Sequence, residues 1–205
     1  MPDWRDRIIN PGDDRLAWEA ARRGIVGASD VAHYARASSI DKYVAAKLRE
    51  DHFGGNERTE LGHRFEPMML AYAGIPQNTA LIAHPVIEGI AATPDGILED
   101  PDGRVVLAEC KARVGRIADG PSTAEWRQLA TQFEVMPEAI RTHFLWCTLI
   151  KQDGEWVIRG SDIHELIIPR DHPRIIAARD QSFPLAIEVS ARLQVALEFK
   201  EALTA

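Results

Sequence analysis

Apolar residues recur along this chain with two spacings, and the change from one to the other marks out its elements. Between Glu60 and Tyr72, the residues Leu61, Phe65, Met68 and Tyr72 fall every three or four positions, the signature of one face of an α-helix. The same spacing predicts a helix over Thr123–Val135, with Thr123 as its cap, and helix from His172 onward. That last stretch is expected to break at Phe183-Pro184 and then continue on a stripe of Leu185, Val189, Leu193 and Leu197. Shorter helices are predicted over Arg15–Arg23, capped by Asp13 or Asp14 and stopped by Gly24, from Ser29-Asp30, and over residues 40–50. Strand patterns occupy 81–93, Ile97–Leu98, Val105–Lys111, Thr142–Ile150 and Trp156–Ile163. Turns are read at Asp95-Gly96, Asp100–Gly103 and Gln152-Asp153-Gly154, and loops at Asp51–Arg58 and over the basic stretch Arg113–Ser122 with Arg113 and Arg116. Helices, strands, helix, strands, helix is the order of an α/β or α+β fold, a central mixed sheet flanked by helices.

Composition narrows this little further. With 205 residues, 45% apolar and 27% charged, a single domain with its own core is expected, the motif-bearing part at 15–151 and a C-terminal strand and helices at 152–205. A net charge of −7 argues against a general polyanion sponge, but leaves room for a local basic channel beside an acidic site. Cys110 and Cys147 sit in apolar strand-like segments and read as reduced, buried thiols. No signal peptide or apolar run of membrane-spanning length is read, so a cytoplasmic protein that does not engage membranes is expected.

The candidate chemistry gathers where strand patterns end. Side chains two apart on a strand share a face, so Glu109 and Lys111 project together while Cys110 turns into the packing. Asp95 arrives from the preceding hairpin in Thr93-Pro94-Asp95-Gly96. Two acids and a lysine in that arrangement can bind a divalent cation and ready a water beside it. Taken alone, Glu109 and Lys111 read as a strand-end ion pair, and Pro-Asp-Gly as an ordinary turn. Glu66 lies at the margin of the apolar helix face, four residues after Gly62, whose missing side chain would allow another backbone to approach. Gln128 and Gln132 share one side of their helix. Arg22 precedes Gly27-Ala28-Ser29-Asp30, where Ser29 reads as a helix cap or as part of an anion site.

In their order, Pro-Asp-Gly and Glu-x-Lys resemble the PD-(D/E)xK nuclease signature, and three further segments resemble one branch of it, the phage lambda exonuclease (YqaJ-like) family of viral recombination. Trp18-Glu-Ala-Ala-Arg22 with Gly24–Ser29 is similar to that family's N-terminal segment, and Gly62-x3-Glu66-Pro67 to its G-x3-E-P helix. Trp126-Arg-Gln128-Leu-Ala-Thr-Gln132 is similar to its Q-x-Q-x-Q helix, with Trp126 at a position that usually carries tyrosine and Ala130 in place of the middle glutamine. The resemblance runs from about Trp18 to Trp146.

The resemblance implies a restriction-endonuclease-like core and a metal-dependent 5′→3′ exonuclease. Such an enzyme degrades one strand of linear duplex DNA from 5′-phosphorylated ends and leaves 3′ single strands for annealing. It implies that Asp95, Glu109, the Cys110 carbonyl and Glu66 hold one or two Mg²⁺ or Mn²⁺ ions. Lys111 would orient and help deprotonate the attacking water, and Gln128 would position that water or the lysine. Arg22 and Ser29 would hold the 5′-phosphate, with Trp18 stacking on or walling that pocket and Arg113 as a further DNA contact. It also implies double-stranded DNA ends as partner, a ring-shaped homotrimer, a single-strand annealing protein downstream, and a bacterial host cell. An endonuclease or repair nuclease of the same superfamily and a non-catalytic DNA-binding module are the alternatives. The four-cysteine iron–sulfur nucleases are excluded by the presence of two cysteines only.

Overall fold

The computed structural model describes residues 3–49, 57–115 and 117–204, with backbone alone at 57–59, 201 and 204. Part of the expected loop before the central helix, residues 51–56, and Arg116 lie outside the described residues. The chain runs β1 (Ile8–Asn10), α1 (Arg15–Arg22), β2 (Val26–Gly27), α2 (Ala28–Val31), α3 (Ile40–Leu48), α4 (Glu57–Ala73), β3 (Leu81–Ala83), β4 (Ile90–Ala92), β5 (Gly96–Glu99), β6 (Val105–Val114), α5 (Thr123–Val135), β7 (Ala139–Gln152), β8 (Glu155–Pro169) and α6 (Pro173–Thr204).

The strands form two mixed four-stranded sheets rather than one central sheet, in the orders β1-β3-β4-β2 and β5-β6-β7-β8. In the first, β2 runs parallel to β4 with Gly27 opposite Ala91. In the second, β6 and β7 run parallel across the α5 crossover, the connection that parallel neighbours require. One apolar cluster joins both sheets to α2, α5 and α6 through Val26, Ile90, Leu107, Phe133, Phe144 and Val189. A second lies under α4, where Leu61, Phe65, Met69 and Leu70 cover Val106, Ala108, Cys110 and Cys147.

Several expectations shift in the fold. The segment 81–93 is a hairpin of two short strands, because Pro85 and Gly89 force a turn into the middle of it. Helix α4 begins at Glu57, inside the expected loop. Its buried face is also rotated: Met69 and Leu70 are 0% and 2% exposed, against 52% and 58% for Met68 and Tyr72. Helix α5 is capped one residue earlier than expected, by Ser122 and Glu125 in a reciprocal capping box. The expected break in α6 is absent, and Pro184 lies inside a continuous helix. Buried Phe183, Ala186 and Val189 around that proline hold the turn against the loss of one backbone hydrogen bond. Strand β8 runs on to Pro169 past a bulge at Gly160 and Ser161, both at positive φ.

Candidate active site

The site exists because β6 outruns its neighbour. β5 pairs with β6 only as far as Gly96 opposite Ala108, while β6 continues beside β7 to Val114. From Glu109 onward, one edge of β6 has no strand against it among the described residues. Asp95, immediately before β5, fills the first vacant position: its carboxylate accepts the Cys110 N–H at 2.7 Å. A strand residue presents its N–H and C=O to the same edge, so the Cys110 carbonyl faces this same opening.

Two backbone ties fix the Asp95 turn. Asn78 donates its side-chain amide to the Pro94 carbonyl at 2.8 Å and its backbone N–H to the Asp95 carbonyl at 2.8 Å. Gly96 lies so close to α4 that a Cβ there would stand 2.8 Å from both Ile75 and Leu70. Neither Asn78 nor this contact is signalled by the Pro-Asp-Gly pattern itself.

Glu109 is buried, 1% exposed, and its carboxylate is met by three side chains. Lys111 meets one oxygen at 2.5 Å and Gln128 donates to the same oxygen at 2.6 Å. Gln132 donates to the other at 2.6 Å, and Lys111 reaches the Gln128 carbonyl oxygen at 3.2 Å. Gln132 is the residue that sequence reasoning left without a role. Its spacing of one helical turn from Gln128 on the same side was the available signal. Ala130, between them, is 1% exposed and packs in the core, where a glutamine would have to bury its amide.

Glu66 projects from the rotated face of α4 and accepts from the Gln77 amide at 2.9 Å. Burial raises its pKa, opposed by the Gln77 bond and His63. Asp95 is raised well above the usual carboxylate range, first by burial and then by the charges of Glu109 and Glu66. Burial works to discharge Lys111, but Glu109 and Asp95 outweigh it and the ammonium is held. Three carboxylates thus face one cation, and a divalent ion with a preference for oxygen ligands is what such a cluster lacks. Among the described residues, the Gln132 Oε1 on the far side of its amide has no hydrogen-bond partner. The donor set fits a hard cation, yet among the described residues no three acid, histidine or cysteine groups converge as ready ligands. Glu109 spends both its oxygens on Lys111 and the two glutamines, and Asp95 spends one on Cys110.

The N-terminal residues form a second constellation. Arg22 donates to the Ser29 hydroxyl and lies over the Trp18 ring, 5.1 Å from its centroid. Ser29 is not the cap of α2; Gly27 holds that place, and Asp30 accepts its N–H at 2.8 Å. Because Gly27 and Ala91 are in register on parallel strands, Ser29 and Thr93 emerge at the same end of the sheet, two residues before Asp95. Arg127, beside Gln128 on α5, ties the two regions by donating to the Ala32 carbonyl at 2.9 Å. Arg113, expected as a DNA contact, lies on β6 beside the start of α5. It pairs with Glu125 at 2.9 Å, donates to the Gly120 carbonyl, and its side chain is 12% exposed.

No protein-family model matches the chain, and a search of curated proteins gives no match. Solved structures do share its fold. An alkaline exonuclease, LHK-Exo from Laribacter hongkongensis, matches with a TM-score of 0.61 at 22% identity, over 93% of this chain and 100% of that one. The same enzyme in complex with dAMP gives 0.61 at 23% identity. A phage-related exonuclease from Haemophilus somnus 129PT gives 0.52 at 16% identity, covering 94% of this chain and 93% of that one. A SOX–DNA complex gives 0.54 at 10% identity, over 86% of this chain and 66% of the other. The mixed α/β fold of two sheets flanked by helices is therefore one that nucleases use. No helix among the described residues is long and apolar enough to cross a membrane.

Proposed function

We propose that this protein is a metal-dependent nuclease of the lambda exonuclease type, degrading one strand of linear duplex DNA in the 5′→3′ direction from phosphorylated ends. The observation that carries this reading is the Asp95–Glu109–Lys111–Gln128 cluster at the free edge of β6, on a fold shared with exonucleases.

In this reading Asp95, Glu109, Glu66 and the Cys110 carbonyl hold Mg²⁺ or Mn²⁺. When bound, the ion lowers the pKa of a water and offsets negative charge on the scissile phosphate. Lys111, which donates to Glu109 and Gln128, is placed to hold the attacking water in line and help deprotonate it. Gln128 fixes Lys111 from one side, and Gln132 keeps Glu109 from rotating. Arg22 and Ser29 hold the terminal phosphate, the guanidinium fork and hydroxyl supplying donors to its oxygens. Trp18 backs the guanidinium. The product strand with a 3′ overhang is the substrate class of an annealing protein, and closed assembly into a ring would keep the duplex threaded.

The test is a Mg²⁺-dependent time course on linear duplex DNA, with 5′-phosphate or 5′-hydroxyl ends, a 3′ label on one strand, and a closed circle alongside. Stepwise loss from phosphorylated 5′ ends with an intact circle is expected, and Lys111→Ala should abolish it while still binding the duplex. Cutting of the circle would assign the site to an endonuclease. Binding without cleavage in either Mg²⁺ or Mn²⁺ would leave a non-catalytic module.

A further inference from the structure

The constellation around Arg22 contains a second cation that the sequence pattern does not point to. Lys47, on α3, meets the Asp30 carboxylate at 3.0 Å, with its side chain only 15% exposed. The other oxygen of the same carboxylate faces Arg22 at 3.7 Å. Asp30 is itself anchored from the backbone by the Gly27 N–H. A Cβ on Gly27 would press within 3.2 Å of the Arg22 guanidinium and 3.3 Å of Asp30, so the residue type there preserves the arrangement.

Two features separate this group from an ordinary ion pair. It holds two cations against one carboxylate, leaving a net positive charge in a chain that is negative overall. Among the described residues its donors are also largely unspent. An ammonium has three N–H donors, and among the described residues Lys47 uses one. Asp30 spaces Lys47 and Arg22 on its two oxygens, much as two donors are spaced on the oxygens of one phosphate.

We propose that Lys47 is a second ligand of the terminal phosphate and that Asp30 is the residue that positions it. The inference rests on the end-binding reading of Arg22 and Ser29 given above. A phosphate monoester presents more charge and more acceptor oxygens than one guanidinium can satisfy, and an ammonium beside it supplies the remainder.

The experiment measures binding of fluorescent duplexes with 5′-phosphate or 5′-hydroxyl ends in EDTA, so that cleavage plays no part. Wild type should prefer the phosphorylated end. Lys47→Met should lower that preference about tenfold, the worth of one charge-assisted hydrogen bond, and Lys47→Arg should restore part of it. The double variant Asp30→Asn/Lys47→Met separates ligand from counter-ion. If Lys47 only neutralised Asp30, removing both charges would return the preference to the wild-type value, and the proposal would be overturned. A preference that stays low in the double variant supports it. If Arg22→Ala loses the preference while Lys47→Met keeps it, Lys47 is not a ligand although the pocket stands. If wild type shows no preference, or Arg22→Ala keeps it, the pocket itself is misplaced and Lys47 falls with it.

Discussion

The carboxyl of Asp95 lies below the surface, between Glu109 and Glu66, and its raised pKa has a consequence for stability. The folded chain holds that proton more tightly than the unfolded chain does. The stabilising contribution is therefore present below the usual carboxylate pKa and is lost as pH rises through the raised value. At neutral and alkaline pH the metal-free site works against folding. Asp95→Asn is expected to raise the melting temperature in EDTA, most clearly at alkaline pH, while removing nuclease activity. Adding Mg²⁺ should stabilise wild type by mass action and leave Asp95→Asn nearly unmoved. Equal melting temperatures of the two proteins in EDTA at pH 8 would show that the acidic cluster carries no such strain. At this scale the sequence was most informative. Glu109, Lys111, Asp95 and Gln128 meet as their positions implied, and Arg22 meets Ser29 and Trp18. Arg113 pairs with Glu125, twelve residues away across a loop, and one-dimensional spacing carries no trace of that pairing.

Helix α4 shows why elements were harder to read than residues. Its apolar residues surround most of the helix, so period alone admits more than one buried face, and the choice falls to whatever the helix packs against. Packing against β6 turns Met69 and Leu70 inward, and that rotation carries Glu66 to the site. Two glycines associated with α4 then differ in sign. Among the described residues, a methyl placed on Gly62 would meet nothing within 4 Å, so no close backbone approach is seen there. Gly62→Ala should stabilise the protein by about 1 kcal/mol through helix propensity. Gly96→Ala would drive a methyl to 2.8 Å from Leu70 and Ile75 and 3.0 Å from the Pro76 carbonyl. It should cost about 1–3 kcal/mol, as overpacking does. Urea unfolding of the two variants checks both signs at once. The continuous α6 and the split of 81–93 have the same origin as the α4 rotation: tertiary contacts overrode one proline and reinforced another.

For the molecule as a whole, an acidic chain that engages DNA must do so through a few placed cations rather than its overall field. The salt dependence of duplex binding should then be shallow and assignable residue by residue. Replacing Arg22 with Ala is expected to reduce the slope of log affinity against log salt by about one, the share of a single phosphate contact. An unchanged slope would mean that Arg22 does not touch phosphate. The same scale gives the parallel pairing of β2 and β4 a further meaning. One strand leads directly to Ser29 and the other to Asp95, and Gly27 opposite Ala91 locks them side by side. On the proposed reading, the group that grips an end and the group that cuts are mounted on adjacent strands that cannot slide past each other. On the proposed reaction, the offset between the end-binding group and the cutting group is set by backbone register. A residue inserted between Gly27 and Ser29 would alter the size of the product before it altered the chemistry of the cut.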